Sequence, residues 1–239
     1  MKTIFHKADE RGHANHGWLD SYHSFSFGHY HDPNKVHFGA LRVLNDDTVK
    51  GGFGFGKHPH DNMEIVSIPT FGDLKHEDST GRNEVIKQYD VQIMSAGSGI
   101  AHSEMNANKD KDVKFFQVWV FPKEKNITPR YEQKSFRPED RLNKLQTVVA
   151  PNDPDAVHIN QDAWFTLGNL KQGFSSEYKM NKAGNGVYVF VVEGEVTING
   201  NKLNRRDALG VWETDSILID ADTNAELLLI EVPMLKAEY

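Results

Sequence analysis

The sequence predicts an all-β protein built as two barrels in tandem, with a few short helices. Three observations lead there. Short apolar runs alternate with turn signals along almost the whole chain, several runs carry the period-two pattern of half-buried strands, and stretches of the first half are echoed in the second.

The strand candidates are Asn62 to Ile68, Val91 to Met94, Lys114 to Phe121, Gly186 to Ile198 and Glu226 to Val232. Turn chemistry separates them. Ser79-Thr-Gly-Arg-Asn83 divides two polar-alternating runs, and Ile198-Asn-Gly-Asn201 holds an Asn-Gly step that suits a tight hairpin. Many short strands so spaced imply sandwiches or barrels. The best helix candidate is short, Glu139 to Leu145 after Pro138.

The apolar run and glycine turn of Ile65 to Leu74 recur in Tyr188 to Val196, and Tyr89 to Ile93 is echoed by Arg206 to Gly210. Such doubling suggests two copies of one barrel. The polar, proline-bearing stretch Ala150 to His158 reads as a connection, and the expected division is residues 1–135 and 136–239.

Composition excludes several classes of function. The chain has 239 residues, enough to bury a sizeable core, and its net charge of −7 is spread without a basic footprint for nucleic acid. It has no cysteine, which removes disulfides, thiolate metal sites and thiol nucleophiles, so any metal must sit on imidazole and oxygen. No segment approaches the roughly 18 apolar residues of a membrane span, and the N-terminus lacks a signal-peptide run, so the expected location is the cytoplasm. The oddity is histidine: 12 in all, seven of them (His6, His13, His16, His23, His29, His31, His37) before residue 40.

Two pairs stand out. In Gly54-Phe-Gly-Lys-His-Pro-His60 the histidines are two residues apart, so on a strand both imidazoles project to one side, and Pro59 puts that strand at a sheet edge. In Gly97-Ser-Gly-Ile-Ala-His-Ser-Glu104, His102 and Glu104 have the same spacing. On neighbouring strands facing inward, His58, His60, His102 and Glu104 would surround one point, and three nitrogens with one oxygen suit a borderline divalent metal. One His-X-His pair alone is more often a surface or hydrogen-bonded feature; two pairs beside glycine-rich turns are not. Phe53, Phe55, Met63, Phe116 and Trp119 are candidates for a flat apolar pocket above the metal, although alternating aromatics on strands are more often core.

The order of glycines, His58-X-His60, Glu64, then Gly97-Ser-Gly-Ile-Ala-His102 and Asn106 resembles the two cupin motifs. Closer still, Arg11 to Phe27, Gly56-Lys-His-Pro-His60, Ile93 to Glu104 and Pro129-Arg-Tyr-Glu-Gln133 resemble the diagnostic stretches of pirins. The resemblance implies two stacked cupin barrels of the double-stranded β-helix or jelly-roll kind, the N-terminal one holding a divalent ion. It makes Fe2+ the expected metal, with Zn, Mn, Ni, Co and Cu as alternatives. It also implies Glu104 as the carboxylate ligand, leaving Glu64, which sits where the generic cupin motif has its carboxylate, as a supporting or structural group. In the same likeness the N-terminal histidines are ordinary structural positions; His76 receives no role. Aligning Gly72 with Gly194 sets Met180 and Lys182 opposite His58 and His60, and aligning Asp90 with Asp207 sets Ile219 opposite His102. The second barrel is therefore expected to be degenerate and metal-free.

Pirins of this kind include flavonol dioxygenases of the quercetinase type, which open the heterocycle with O2 and release carbon monoxide. The resemblance implies a small aromatic substrate, with Glu104 as both ligand and the catalytic base that takes the proton of the flavonol 3-hydroxyl. The alternative is a metal- or redox-dependent regulator that binds a protein partner without turnover. A sugar-modifying cupin ranks third, because phosphate-binding signals are missing near the ligands. No nucleic-acid or membrane partner is expected, and the expected state is a monomer.

Overall fold

The computed structural model describes residues 1–235. In chain order the first strands are β1 (Lys2–His6), β2 (Gly12–Asn15), β3 (Leu19–His23), β4 (Leu41–Val49), β5 (Gly54–His60), β6 (Glu64–Phe71), β7 (Leu74–Asp78), β8 (Asn83–Ile86), β9 (Asp90–Ser95), β10 (Ile100–Asn106), β11 (Val113–Val120) and β12 (Arg130–Ser135). The remainder are β13 (Leu145–Ala150), β14 (Val157–His158), β15 (Trp164–Leu170), β16 (Ser175–Lys179), β17 (Asn185–Glu193), β18 (Val196–Ile198), β19 (Asn201–Leu203), β20 (Ala208–Trp212), β21 (Ser216–Ala221) and β22 (Ala225–Pro233). Helix among the described residues is confined to two short 3-10 turns, Ala8–Glu10 and Pro138–Arg141.

The strands form two seven-stranded and two four-stranded sheets with one plan used twice. One seven-stranded sheet runs β12-β9-β6-β11-β4-β3-β2 and the other β1-β20-β17-β22-β15-β13-β14; the small sheets run β5-β10-β7-β8 and β16-β21-β18-β19. Both echoes read in the sequence fall on matching places: β6 and β17 are third in their sheets, β9 and β20 second. The chain's first strand, β1, pairs antiparallel with β20 in the second barrel, in the place that β12 fills in the first. The first barrel thus ends its large sheet on residues 130–135, while residues 2–6 belong to the other sheet.

The period of two divides each central strand between two environments. Along β17, Tyr188, Phe190 and Val192 enter a core shared by both barrels, whereas Val187, Val189 and Val191 fill the second barrel's own interior. Along β11, Phe116, Val118 and Val120 enter the shared core. Burying such a side chain contributes about 1.5–3 kcal/mol, so the two large sheets are held back to back by this layer. The inner faces then differ. That of the second barrel is packed with Val, Leu and Ile from both of its sheets, Ile219 among them. That of the first carries Ser21, His23, Asn45, Asp47, Ser67, Gln92 and Gln117, all buried.

Three expectations about elements change. Glu139 to Leu145 is not a helix: the 3-10 turn ends at Arg141, Asn143 takes a left-handed φ of 53°, and Leu145 already pairs with Gly168 of β15. The strand expected from Asn62 starts at Glu64, because Asn62 is left-handed at φ 46°. The run Gly186 to Ile198 breaks at the Gly194 turn into β17 and β18. No helix among the described residues is long and apolar enough to cross a membrane.

Candidate metal centre

β5 is the edge strand of its sheet, as Pro59 requires, and pairs with β10 so that His102 lies opposite His58. The next pair is Glu104 with Phe55: two residues of β10 match three of β5, which marks a bulge at Gly56-Lys57. The bulge reverses the alternation, so Phe55 faces the same cavity as His58 and His60. On β10 the alternation is clean, with Ile100, His102, Glu104 and Asn106 buried and the residues between them half-exposed. Gly97 and Gly99 take left-handed φ values of 51° and 131° immediately before this strand, the sharp turn for which glycine is suited.

The three imidazoles converge. Their ring centroids are 4.6 Å (His58–His102), 4.8 Å (His58–His60) and 5.0 Å (His60–His102) apart, and one nitrogen from each lies within 4.8 Å of the others. Among the described residues no other group of His, Cys, Asp and Glu converges in this way. Hydrogen bonds fix which nitrogens carry lone pairs. Nδ1 of His58 donates to the Gly56 carbonyl at 2.7 Å, freeing its Nε2. Nε2 of His76 meets Oδ2 of Asp78 at 2.8 Å, and Nδ1 of His76 lies a long 3.5 Å from Nδ1 of His102. With Asp78 accepting from His76, and His76 from His102, the lone pair of His102 rests on Nε2, which is buried with no hydrogen-bond partner. Burial, reinforced by His102 and His58, lowers the pKa of His60 to about 4. Burial, then His58 and His76, lowers that of His102 to about 3. Both are therefore neutral at ordinary pH, the form that binds metal. An orphaned buried nitrogen at the meeting point of three imidazoles fits a divalent cation and fits no protein partner present.

Glu104 lines the same cavity, on the strand that carries His102. Its Oε1 accepts from Ser67 Oγ at 2.8 Å and its Oε2 from Gln117 Nε2 at 2.5 Å, so the large sheet holds the carboxylate in place. Glu64 sits elsewhere. It lies on the opposite face of β6 from Ser67, toward the second half, where Oε2 accepts from Ser95 Oγ at 2.8 Å and the Asn160 N–H at 3.1 Å. Burial pushes its carboxyl up to about 7 against those bonds.

The cavity above the imidazoles measures about 770 Å3. Phe55 and Trp119, both expected there, line it, and Trp119 packs edge-on against His60 at 4.9 Å. The other three aromatic or sulfur candidates lie outside the lining. Phe116 has the opposite parity from Trp119 on β11 and meets Phe190 in the shared core, 5.5 Å between centroids. Met63 packs on the Ile65, Met94, Ala96 and Ile100 cluster, and Phe53 is exposed, stacked outside Trp18. Sequence reasoning missed the rest of the wall. Trp18, Ser21, His23, Asn45, Asp47 and Gln117 all line it, as do His13, His16 and His29. The missed signal was polarity: Gln117 is the polar residue in an otherwise apolar run, two before Trp119 and so on its face.

The sequence pattern described as Pirin matches residues 4–120, and that of the quercetinase C-terminal cupin domain matches residues 147–232. The chain is 44% identical over 228 residues to quercetin 2,3-dioxygenase of Escherichia coli K12, covering 95% of this chain and 97% of that protein. It is 40% identical over 225 residues to a pirin-like protein of Caulobacter vibrioides, covering 93% and 96%. Among solved structures, bacterial pirin YhhW of E. coli in complex with nickel(II) superposes with a TM-score of 0.92 at 42% identity, covering 98% of this chain and 100% of that one. A quercetin 2,3-dioxygenase from Acinetobacter baumannii shares the fold at 22% identity and a TM-score of 0.75. Two barrels of one plan, one of them with a polar interior and three converging imidazoles, carry these likenesses over nearly the full length; the chain belongs to the pirin family.

Proposed function

We propose that this protein is a metal-dependent dioxygenase that opens the heterocycle of flavonols such as quercetin with O2. One observation carries the reading. A buried, unpartnered imidazole nitrogen lies at the floor of an aromatic-walled cavity of about 770 Å3, a size that suits a drug-sized aromatic molecule. The name of the E. coli relative supports the same substrate class.

His58, His60, His102 and Glu104 would hold one divalent ion, Fe2+ being the expected one. When bound, a redox-capable ion with open coordination positions supplies the means of activating the flavonol toward dioxygen. The chain's own part is positioning and proton transfer. Trp119 and Phe55 line the cavity and offer aromatic surface to the ring system. Glu104 takes the proton of the 3-hydroxyl; the bonds from Ser67 and Gln117 hold its carboxylate in line for that transfer. Asp78 and His76 keep His102 in the tautomer whose Nε2 faces the site.

The test is oxygen uptake with quercetin by iron-, manganese- or nickel-loaded protein against the metal-free protein, with loss of the near-visible flavonol band and carbon monoxide release followed together. Uptake dependent on metal and flavonol supports the reading. Flavonol binding by fully loaded protein with no uptake above the metal-free control transfers the role to a non-catalytic regulator.

A further inference from the structure

We propose that His23 and Asn45 form a paired hydrogen-bond acceptor on the cavity wall that selects substrates bearing two adjacent hydroxyls on the ring remote from the metal centre. The inference rests on the flavonol reading above and deepens it. The registers of β3, β4, β11 and β6 place His23 opposite Asn45, Asn45 opposite Gln117 and Gln117 opposite Ser67. One polar row thus crosses the inner face, and at one end Gln117 and Ser67 both donate to Glu104. At the other end two atoms have no partner, Nδ1 of His23 and Oδ1 of Asn45, although the residues are only 5% and 3% exposed and both line the cavity.

Their neighbours decide what these atoms can do. The Ser21 hydroxyl donates to Oδ1 of Asp47, so its oxygen accepts from Nε2–H of His23 at 2.8 Å. Burial, followed by His13 and His16, lowers the pKa of His23, so at pH 8 the ring is neutral and, with Nε2 protonated, its lone pair is on Nδ1. Burial pushes the Asp47 carboxyl up to about 7 despite the Ser21 bond, so this direction of donation holds above that pH. Oδ1 of Asn45 is an acceptor in any state. Directly opposite residues of antiparallel strands have Cα atoms about 4.5–5.5 Å apart, so the two residues are neighbours on the cavity wall. Each loses hydration on burial and regains it only from a donor on the ligand. Two neighbouring O–H groups on one aromatic ring supply two donors on adjacent ring positions. A single hydroxyl supplies one, and hydroxyls in a 1,3 relation diverge.

The experiment is anaerobic binding at pH 8 to the full-length, metal-loaded chain, read by quenching of tryptophan fluorescence. It compares quercetin with galangin, which keeps the fused-ring and 3-hydroxyls but lacks both hydroxyls of the pendant ring. Wild type is expected to prefer quercetin by about tenfold or more, as a site built around a hydroxyl does. Asn45→Leu and His23→Leu are each expected to cut that ratio about threefold to tenfold, and the double variant to bring it near one. The smaller Asn45→Ala and His23→Ala replace any Leu variant whose thermal transition shows that it does not fold. A wild-type ratio near one, or a ratio that the variants leave unchanged, overturns the inference alone. Failure of both flavonols to bind wild type overturns it together with the flavonol reading.

Discussion

Gln117 and Glu104 meet across the interior of the first barrel, Nε2 of the one donating to Oε2 of the other at 2.5 Å, although they sit on strands of different sheets. The contact ties the candidate base to the large sheet, whose outer face is locked into the core shared by both barrels. The second barrel thereby steadies a site in which it has no residue.

Glu104→Gln removes the basic oxygen and keeps the size of the side chain. It is expected to retain part of the metal and to lose about 10²- to 10⁴-fold in turnover with quercetin, the usual loss on removing a general base. Elemental analysis beside oxygen uptake separates the two effects. Metal retained with undiminished turnover rules out the base.

His58→Ala/His102→Ala leaves one imidazole, too few donors for tight chelation. Protein purified with added metal is expected to carry about one ion per chain as wild type and almost none as the double variant. Stoichiometric metal in the double variant removes the site from these residues.

Glu64 gives a pH signature unrelated to the metal. Burial raises its folded pKa from 4.5 to about 7, so between these values the native state binds more protons than the unfolded chain and stability falls as pH rises. Above pH about 7 the cost is complete, on the order of 3 kcal/mol for a shift of this size. Glu64→Gln is expected to be more stable than wild type at pH 8 and to lose that advantage toward pH 4.5. Urea melts at the two pH values check it; a difference that grows on acidification contradicts it.

Gly12→Ala tests the cavity wall near Tyr30. A Cβ at Gly12 would run into Cγ of Tyr30, so the ring must move. The expected cost is about 1–3 kcal/mol, as for other overpacking changes, with weaker quercetin binding because Tyr30 lines the cavity. Unchanged melting and binding would show that the ring yields freely.

Much of this was legible from spacing alone. The pair His58/His60 and its neighbour His102 became a convergent group because one face of a strand is set by the period of two, and Glu104, on the same face of β10 as His102, lines the same cavity without joining that group. The tandem plan could be read from the echoes at β6/β17 and β9/β20. The substrate wall was less legible. Phe116 and Trp119 differ in parity, so only one of them faces the cavity, and spacing cannot say which until the neighbouring sheet is known. Phe55 shares the His58 face only through a bulge that no local signal but Gly56 announced. His76 lies beside His102 through pairing of β7 with β10, and His23 joins the wall through pairing of β3 with β4. Both pairings depend on long-range register, which composition does not reveal. The crossing of β1 into the second barrel was hidden for the same reason.

One ion at one place is central to the proposed chemistry, and anomalous diffraction from crystals of the full chain grown with manganese locates it directly. A single strong peak per chain is expected among His58, His60, His102 and Glu104, and none within the apolar interior of the second barrel. No peak at the three imidazoles with manganese present, or a peak of similar height inside the second barrel, would contradict it.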